Sequence, residues 1–136
     1  GSVTENKFGY GPAVALFGYG RVVPAREDAH NEWGCLPAWG FATSVSSIVD
    51  GLDEGERVYG YFPPADFLVM RPTKLTSGRF MDGSIHRAEL PAVYNNYVRL
   101  AKESCYDHSV DNSRALLNPL HRTSFCLCDA LKSESF

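Results

Sequence analysis

The chain has 136 residues, of which 44% are hydrophobic and 21% are charged, and its formal net charge is −3 at pH 7. This length suits one compact domain, and the composition excludes disordered and collagen-like chains. A slightly acidic chain with no basic run longer than a pair is not built for sequence-independent nucleic-acid binding. Its longest mainly apolar stretch, PAVALFGYG, is too short to cross a bilayer, and no secretory signal is visible. We therefore predict a cytoplasmic protein without nucleic-acid or membrane partners.

The cysteines indicate free thiols rather than a disulfide framework. The four of them, Cys35, Cys105, Cys126 and Cys128, form no C-x-x-C pair and occur without a secretory context. A tetrahedral zinc site needs two pairs of Cys or His residues a few positions apart, and Cys126-x-Cys128 has the wrong spacing. We predict mostly buried free thiols and no bound metal.

The first part of the chain, up to about residue 79, is predicted to be an antiparallel β-barrel or sandwich. Residues 41–49 alternate apolar and small polar side chains, as a half-buried strand does. Two further strands are predicted at residues 57–62 and 66–71, which are rich in β-branched and aromatic side chains. Three strands at short spacing favour an antiparallel arrangement over alternating strands and helices.

Glycines mark the turns of this part. Gly51 and Gly55 suit the chain reversals, and Gly60 suits a bulge or a close contact within a strand. Nearer the start, G-Y-G-R-V-V has the first two glycines of a dinucleotide fingerprint, but Val23 stands at the third glycine position and Pro24 follows. This favours a glycine-rich loop over a cofactor site, because the phosphate-binding helix is missing.

The second part, from about residue 90, is predicted to be helical. Residues 91–103 place apolar side chains at helical spacing, namely Val93, Tyr97 and Leu100. Asp111 is expected to cap a short helix, and Asn118-Pro119 is expected to begin the next one. The sequence thus predicts a mainly β fold followed by two or three α-helices.

The stretch PAWGFATSVSSIVDGLDEGERVYGYF, residues 37–62, carries a resemblance to a known family. Its segment GERV resembles the G-[DE]-R-V segment in the barrel core of the medium-chain dehydrogenase/reductase superfamily. With DFLVMRPTKL, HRAELPAVYNNY and LLNPLHRTSF, the chain looks like a branch of that superfamily defined only as a domain of unknown function. The match extends over nearly the whole chain.

The resemblance implies a division of the chain. Members of that superfamily have a GroES-like β-barrel that contacts substrate and a Rossmann domain that binds NAD(P). By this resemblance, residues 1–89 form a partial GroES-like β-barrel, and residues 90–136 form a helical segment that leads into a Rossmann domain absent from the chain. We expect the chain alone to bind no cofactor and to be inactive.

The resemblance also points to the zinc-independent quinone and enone reductases. Positions that hold zinc ligands in other members correspond here to Asn6 and to Trp39-Gly40-Phe41. In the zinc-independent relatives, hydride passes from NADPH to an activated double bond. The implied function is that of a substrate domain in an NAD(P)H-dependent oxidoreductase that acts on a small carbonyl-conjugated or quinone-like molecule.

Three site residues follow from the resemblance. Asn6 matches a residue that borders the substrate cleft, and Tyr10 would donate a hydrogen bond to the substrate carbonyl as the catalytic residue. Thr123 looks like the threonine near the nicotinamide, although Ser124 stands where alanine is usual.

Four further candidates for substrate binding come from residue type. Trp39 could line a flat apolar cleft, or it could belong to the core, and Tyr61 is a further candidate to contact the substrate. Tyr94 and Asn95 begin a Tyr-Asn-Asn-Tyr run whose amides could fix a substrate, or which could be an exposed helical turn.

Two other readings of the chain stay open. It could be a non-catalytic β-barrel module that binds a ligand or a protein, or a pseudoenzyme that keeps the barrel without the chemistry. Missing strands would leave an exposed sheet edge, through which the chain could form a homo-oligomer.

Overall fold

The computed structural model describes residues 37–133, which form one sheet and one long helix. The strands are β1 (Ala38–Thr43), β2 (Arg57–Phe62), β3 (Pro72–Thr73), β4 (Arg79–Asp82) and β5 (Asn96–Arg99). The helix is α1 (Asp111–Ser133). Short 3₁₀ helices lie at Ile85–Arg87, Ala92–Asn95, Leu100–Lys102 and His108–Val110.

The sheet is antiparallel, with the strand order β1-β2-β5-β4-β3. β1 and β2 pair over their full length, from Ala38 opposite Phe62 to Thr43 opposite Arg57. The prediction of a mainly β fold with a helical C-terminal part is confirmed, but the sheet of the described residues is open rather than closed into a barrel. β1 and β3 form the edges of this sheet, and pairing of an edge with a second copy stays a prediction.

β2 and the turn before it agree with the sequence. The strand spans Arg57–Phe62, the predicted range. Gly51 and Gly55 have φ values of 82° and 79°, which favour glycine because a side chain is strained there. The alternation of β2 gives the sheet two faces, with Val58 on one and Tyr59 and Tyr61 on the other.

β1 begins and ends earlier than the alternating pattern predicts. Its ladder with β2 ends where β2 begins, at Arg57. Beyond it, Ser44 still exchanges backbone hydrogen bonds with the turn, donating to Glu56 O at 2.9 Å and accepting from Gly55 N at 2.8 Å. Residues 45–49 have no described strand opposite them, so their alternation does not produce a strand.

The predicted strand over residues 66–71 is wrong. Phe67 and Val69 are 78% and 80% exposed, and only Pro72–Thr73 pairs with β4. The backbone N–H of Arg71 donates to the Asp82 carboxylate at 3.1 Å. A β-forming composition does not make a strand where no neighbouring strand accepts its hydrogen bonds.

The predicted helix over residues 91–103 is also wrong. β5 occupies its middle and lies between β2 and β4. Tyr97 is fully buried and stacks on Phe80, with 5.4 Å between the ring centroids. The apolar spacing that resembles a helix also fits a strand that buries every second residue, and pairing on both sides decides in favour of the strand.

The described C-terminal region forms one α-helix instead of two. Pro119 lies inside α1, where its ring usually kinks or breaks a helix. α1 continues because it contacts β1, burying Ala115 and half-burying Asn118 and Pro119. This packing outweighs the local signal of Asn118-Pro119 as a helix start. Among residues 37–133, no helix is long and apolar enough to cross a membrane.

The main core lies on the sheet face away from α1. Leu52, Val58, Phe80 and Tyr97 form the buried cluster. Beside it, Arg99 and Glu56 form a buried ion pair, with Arg99 Nη2 2.7 Å from Glu56 Oε2. Arg99 also donates to the backbone carbonyls of Gly51 and Thr76, so it fixes two turns to the sheet.

Candidate functional site

A cavity of about 230 Å³ lies between the sheet and α1, on the face opposite the main core. β1 and β2 contribute aromatic side chains from that face, and a 3₁₀ helix and one face of α1 complete the wall. The lining residues are Trp39, Tyr59, Val93, Tyr94, Asn118, Pro119, Arg122 and Thr123. The α1 residues recur at i, i+1, i+4 and i+5, so they share one side of the helix.

Aromatic rings form one wall of this cavity. The centroid of Trp39 lies 5.8 Å from Tyr59, 5.3 Å from Tyr61 and 6.0 Å from Tyr94. Tyr61 and Tyr94 are 4.9 Å apart. These spacings are typical of mutually stabilising aromatic pairs. Three predicted substrate-binding residues, Trp39, Tyr61 and Tyr94, are thus brought together, with Tyr61 packed behind the lining residues.

Arg87 positions this aromatic wall. It is 1% exposed, and its Nη2 donates to the carbonyl of Tyr61 at 3.2 Å and to that of Tyr94 at 2.7 Å. One guanidinium therefore links β2 to the 3₁₀ helix Ala92–Asn95. Sequence reasoning missed Arg87, because an arginine between a histidine and an alanine looks like a surface residue.

Asn95, the fourth predicted substrate-binding residue with a described position, does not line the cavity. Its side-chain oxygen accepts from Arg87 Nε at 3.0 Å, and its side-chain nitrogen donates to the Arg87 carbonyl at 2.9 Å. The buried amide therefore supports Arg87 and, through it, the aromatic wall. Asn6 and Tyr10 lie outside the described residues.

Tyr59 supplies the buried polar group of the cavity. It is 3% exposed, and its hydroxyl makes no hydrogen bond of normal geometry with the residues of the 37–133 range, although the Asn118 side chain is close enough to act on it. Burial raises the pKa of this hydroxyl, while Asn118, Arg114 and Arg122 oppose the shift. The hydroxyl is therefore protonated at neutral pH and can donate to a ligand. The period of two along β2, which puts Tyr59 on the face of Tyr61, is the sequence signal that would have found it.

The α1 side of the cavity is polar. Thr123 donates its hydroxyl proton to the Pro119 carbonyl at 3.0 Å, which leaves its oxygen as an acceptor. Asn118 offers an amide, and Arg122 is the one charged residue among those lining the cavity. Thr123, predicted for the nicotinamide, thus shares a cavity with Trp39 and Tyr94, predicted for the substrate.

A larger apolar groove of about 760 Å³ lies on the other side of β1 and is less suited to specific binding. Residues 38–49 and 62–70 supply most of its wall. The described polar atoms that are buried without a partner belong to Tyr59, Asp82, Arg87 and Asn96, and none of these residues lines it. The groove therefore has a large apolar surface, but its described lining has no buried, unpaired polar group that would orient a ligand.

The described residues include no group of three His, Cys, Asp or Glu side chains placed to hold a metal ion. Cys105, Cys126 and Cys128 are free but exposed, so the prediction of mostly buried thiols is wrong for them. The two helical cysteines lie in the part of α1 that does not pack on the sheet. Cys35 lies outside the described residues.

A second polar cluster joins β2 to the start of α1. Asp111 accepts from Arg57 Nη2 at 2.8 Å and from the Tyr106 hydroxyl at 2.9 Å, and it lies 3.2 Å from His108 Nδ1. Burial alone would raise the pKa of the Asp111 carboxyl, but these hydrogen bonds outweigh it and hold the pKa below its ordinary value. None of its residues lines either of the two cavities described above, and the cluster anchors the helix to β2.

The fold and the cavity define a mainly β protein with an aromatic-lined cavity beneath its C-terminal helix. The chain belongs to the family described as protein of unknown function DUF2855, which matches residues 2–136. No curated protein and no solved structure matches it. The expected membership in a family of unknown function is confirmed, and the wider resemblance to the medium-chain dehydrogenase/reductase superfamily stays a prediction.

Proposed function

We propose that the chain is the substrate-binding part of a zinc-independent NAD(P)H-dependent oxidoreductase that acts on a small carbonyl-conjugated or quinone-like ring. One observation carries the proposal. Trp39 and Tyr94, which the sequence predicts to bind substrate, and Thr123, which the resemblance places near the nicotinamide, line one cavity around the buried hydroxyl of Tyr59. A flat ring with a carbonyl oxygen complements these groups.

The size of the cavity agrees with a single ring. An apolar cavity of about 150 Å³ accommodates benzene. At about 230 Å³, this cavity has room for a six-membered ring with one or two small substituents. Trp39 and Tyr94 would contact the ring, because aromatic side chains pack well on flat ligands.

Tyr59 would bind the carbonyl oxygen. A buried hydroxyl without a partner costs about 1–3 kcal/mol, and a carbonyl ligand that accepts its proton removes this cost. A donor aimed at an oxygen that gains negative charge binds more strongly as the charge develops. Tyr59 would thereby fill, on a described strand, the role that the resemblance gave to Tyr10.

The candidate cavity does not fit NAD(P)H. A cavity of about 230 Å³ is far too small for a dinucleotide, and its one cationic residue cannot serve a pyrophosphate and a reacting ring together. We therefore derive no step through the cofactor. The role of residues 37–133 is to bind and orient the substrate ring and to exclude water from it.

Binding of a neutral ring ketone tests the proposal. Acetophenone added to the intact chain should cause a saturable shift of the Trp39 indole N–H signal in a heteronuclear NMR spectrum, with Trp39→Phe identifying that signal. Tyr59→Phe should weaken binding about tenfold, since a lost hydrogen bond of about 1.4 kcal/mol corresponds to that factor.

Thr73→Val is the control, because it also removes a hydroxyl but lies outside the cavity, on the edge strand β3 far from β1. Its affinity for acetophenone should equal that of the unmodified chain. A titration without saturation, or an equal affinity for the Tyr59→Phe variant, would contradict the proposal.

A further inference from the structure

We infer that the natural ligand of the cavity is a single ring that carries an acidic group as well as a carbonyl, and that Arg122 binds the acidic group. The inference rests on the proposed function, because it specifies the ligand of the same cavity. It makes Arg122 a specificity-determining residue.

The described arginines differ in whether a carboxylate forms an ion pair with them. Four of them pair with carboxylates: Arg57 with Asp111, Arg87 with Asp82, Arg99 with Glu56 and Arg114 with Glu103. Arg122 has no carboxylate partner within residues 37–133, and no aspartate or glutamate lines the cavity beside it. The cavity therefore has a net positive charge that a bound anion would neutralise.

Arg122 and Tyr59 line the same cavity. The guanidinium is close enough for its charge to lower the pKa of the Tyr59 hydroxyl, against the effect of burial. Tyr59 is buried at the base of the cavity, whereas Arg122 is exposed at its rim. A ring between them would direct its carbonyl inward to Tyr59 and its acidic group outward to Arg122.

The chemistry of the guanidinium favours a carboxylate at that position. Its planar fork donates two parallel hydrogen bonds to a carboxylate, and these charge-assisted bonds are stronger than neutral ones. Asn118 lies one turn before Arg122 on the same face of α1, beside the Tyr59 hydroxyl, and adds an amide to the same wall. The ligand class is therefore that of monocyclic carbonyl compounds with a carboxylate or a similar anion.

Three ring ketones separate this inference from the proposed function. Acetophenone has only the carbonyl, para-acetylbenzoate adds a carboxylate, and para-acetylbenzamide adds a neutral group of similar shape. In titrations followed by the Trp39 indole signal, para-acetylbenzoate should bind about tenfold tighter than para-acetylbenzamide, and added salt should reduce the difference.

Variants at position 122 assign the preference. Arg122→Gln should abolish the preference for the carboxylate while acetophenone binds as before, and Arg122→Lys should retain part of it, since lysine keeps the charge without the fork. Arg71→Gln is the control, because it removes the same charge from an exposed residue outside the cavity. It should leave all three affinities unchanged.

The outcomes are distinct. Equal binding of para-acetylbenzoate and para-acetylbenzamide, or a preference that persists in Arg122→Gln, overturns the inference while acetophenone binding upholds the proposed function. If none of the three ketones shifts the Trp39 signal, the proposed function fails and the inference fails with it. The amide spectrum of each variant shows whether it is folded.

Discussion

Gly60 is the residue whose missing side chain makes room for the centre of the core. A Cβ atom at this position would overlap the ring of Tyr97, which is fully buried on the neighbouring strand. The ring is held from its other sides by Phe62 and Phe80, with centroid distances of 5.1 and 5.4 Å. The expected close contact at Gly60 is thus confirmed, and the ring cannot move away cheaply.

We expect Gly60→Ala to destabilise the fold by about 1–3 kcal/mol, because over-packing a well-filled core costs about that much. Urea unfolding followed by tyrosine and tryptophan fluorescence would measure it. Gly78→Ala is the control, since a Cβ there meets no atom within 4 Å. Equal unfolding midpoints for the two variants would show that the ring can relax.

At the scale of elements, α1 is attached to the sheet by charged groups near its start. Asp111 binds Arg57 of β2, and Arg114 forms two hydrogen bonds with Glu103, at 2.6 and 2.8 Å. Arg114 also lies over the Tyr59 ring, 5.3 Å from its centroid. The first turn of the helix is therefore fixed, and with it the position of the α1 face that lines the cavity.

These contacts predict a loss of stability in acid. Hydrogen bonds from Arg114 lower the pKa of Glu103 below its ordinary value of 4.5, and the pKa of Asp111 is below its ordinary value of 3.8. Stability from a carboxyl with a lowered pKa is present above the ordinary pKa and is lost as the pH falls through the lowered one. Because both groups are partly solvated, each should contribute less than about 1 kcal/mol.

Urea unfolding at pH 7 and pH 3 measures this contribution. Glu103→Gln should lower stability at pH 7 and make the difference between the two pH values smaller. Glu54→Gln, at an exposed turn residue without an ion pair among the described residues, should change neither quantity. An unchanged acid sensitivity in Glu103→Gln would show that this ion pair does not hold the helix.

The elements differ in how far the sequence determines them. β2 was predictable because aromatic and β-branched residues follow a turn that two glycines define. β5 was not, because its apolar spacing fits a helix equally well, and only its position between β2 and β4 decides the matter. The division of α1 at Pro119 failed for a related reason, since packing on β1 lies outside any local pattern.

At the scale of the whole molecule, the sequence predicted only part of the cavity. Residue type and resemblance were sufficient to select Trp39, Tyr94 and Thr123, which are far apart in the chain and meet in the fold. The roles of Tyr59 and Arg87 depend on burial and on partners, which no sequence pattern displays. Sequence therefore indicated which residues meet at the cavity, but not what positions them.

We expect the intact chain not to bind NADPH, because the candidate cavity holds about one ring and no basic residue among the described ones lines the larger groove to bind a pyrophosphate. Titration with NADPH should leave the Trp39 indole signal without a saturable shift, and a panel of quinones and enones should cause no NADPH oxidation above background. Serine should replace the exposed cysteines at 105, 126 and 128, so that thiol addition to enones does not interfere. Saturable oxidation would show that the chain contains its own cofactor site.

The double hydrogen bond of Arg87 to the carbonyls of Tyr61 and Tyr94 has a consequence for how specificity can diverge. Because one guanidinium nitrogen binds both carbonyls, a substitution that moves one of the two tyrosines would also disturb the other. The opposite wall consists of side chains from one helix face, where Asn118, Arg122 and Thr123 can be exchanged without repacking the sheet. Under the proposed function, proteins built on this plan would keep the wall that binds flat rings while they exchange the substituent they accept, one helix position at a time.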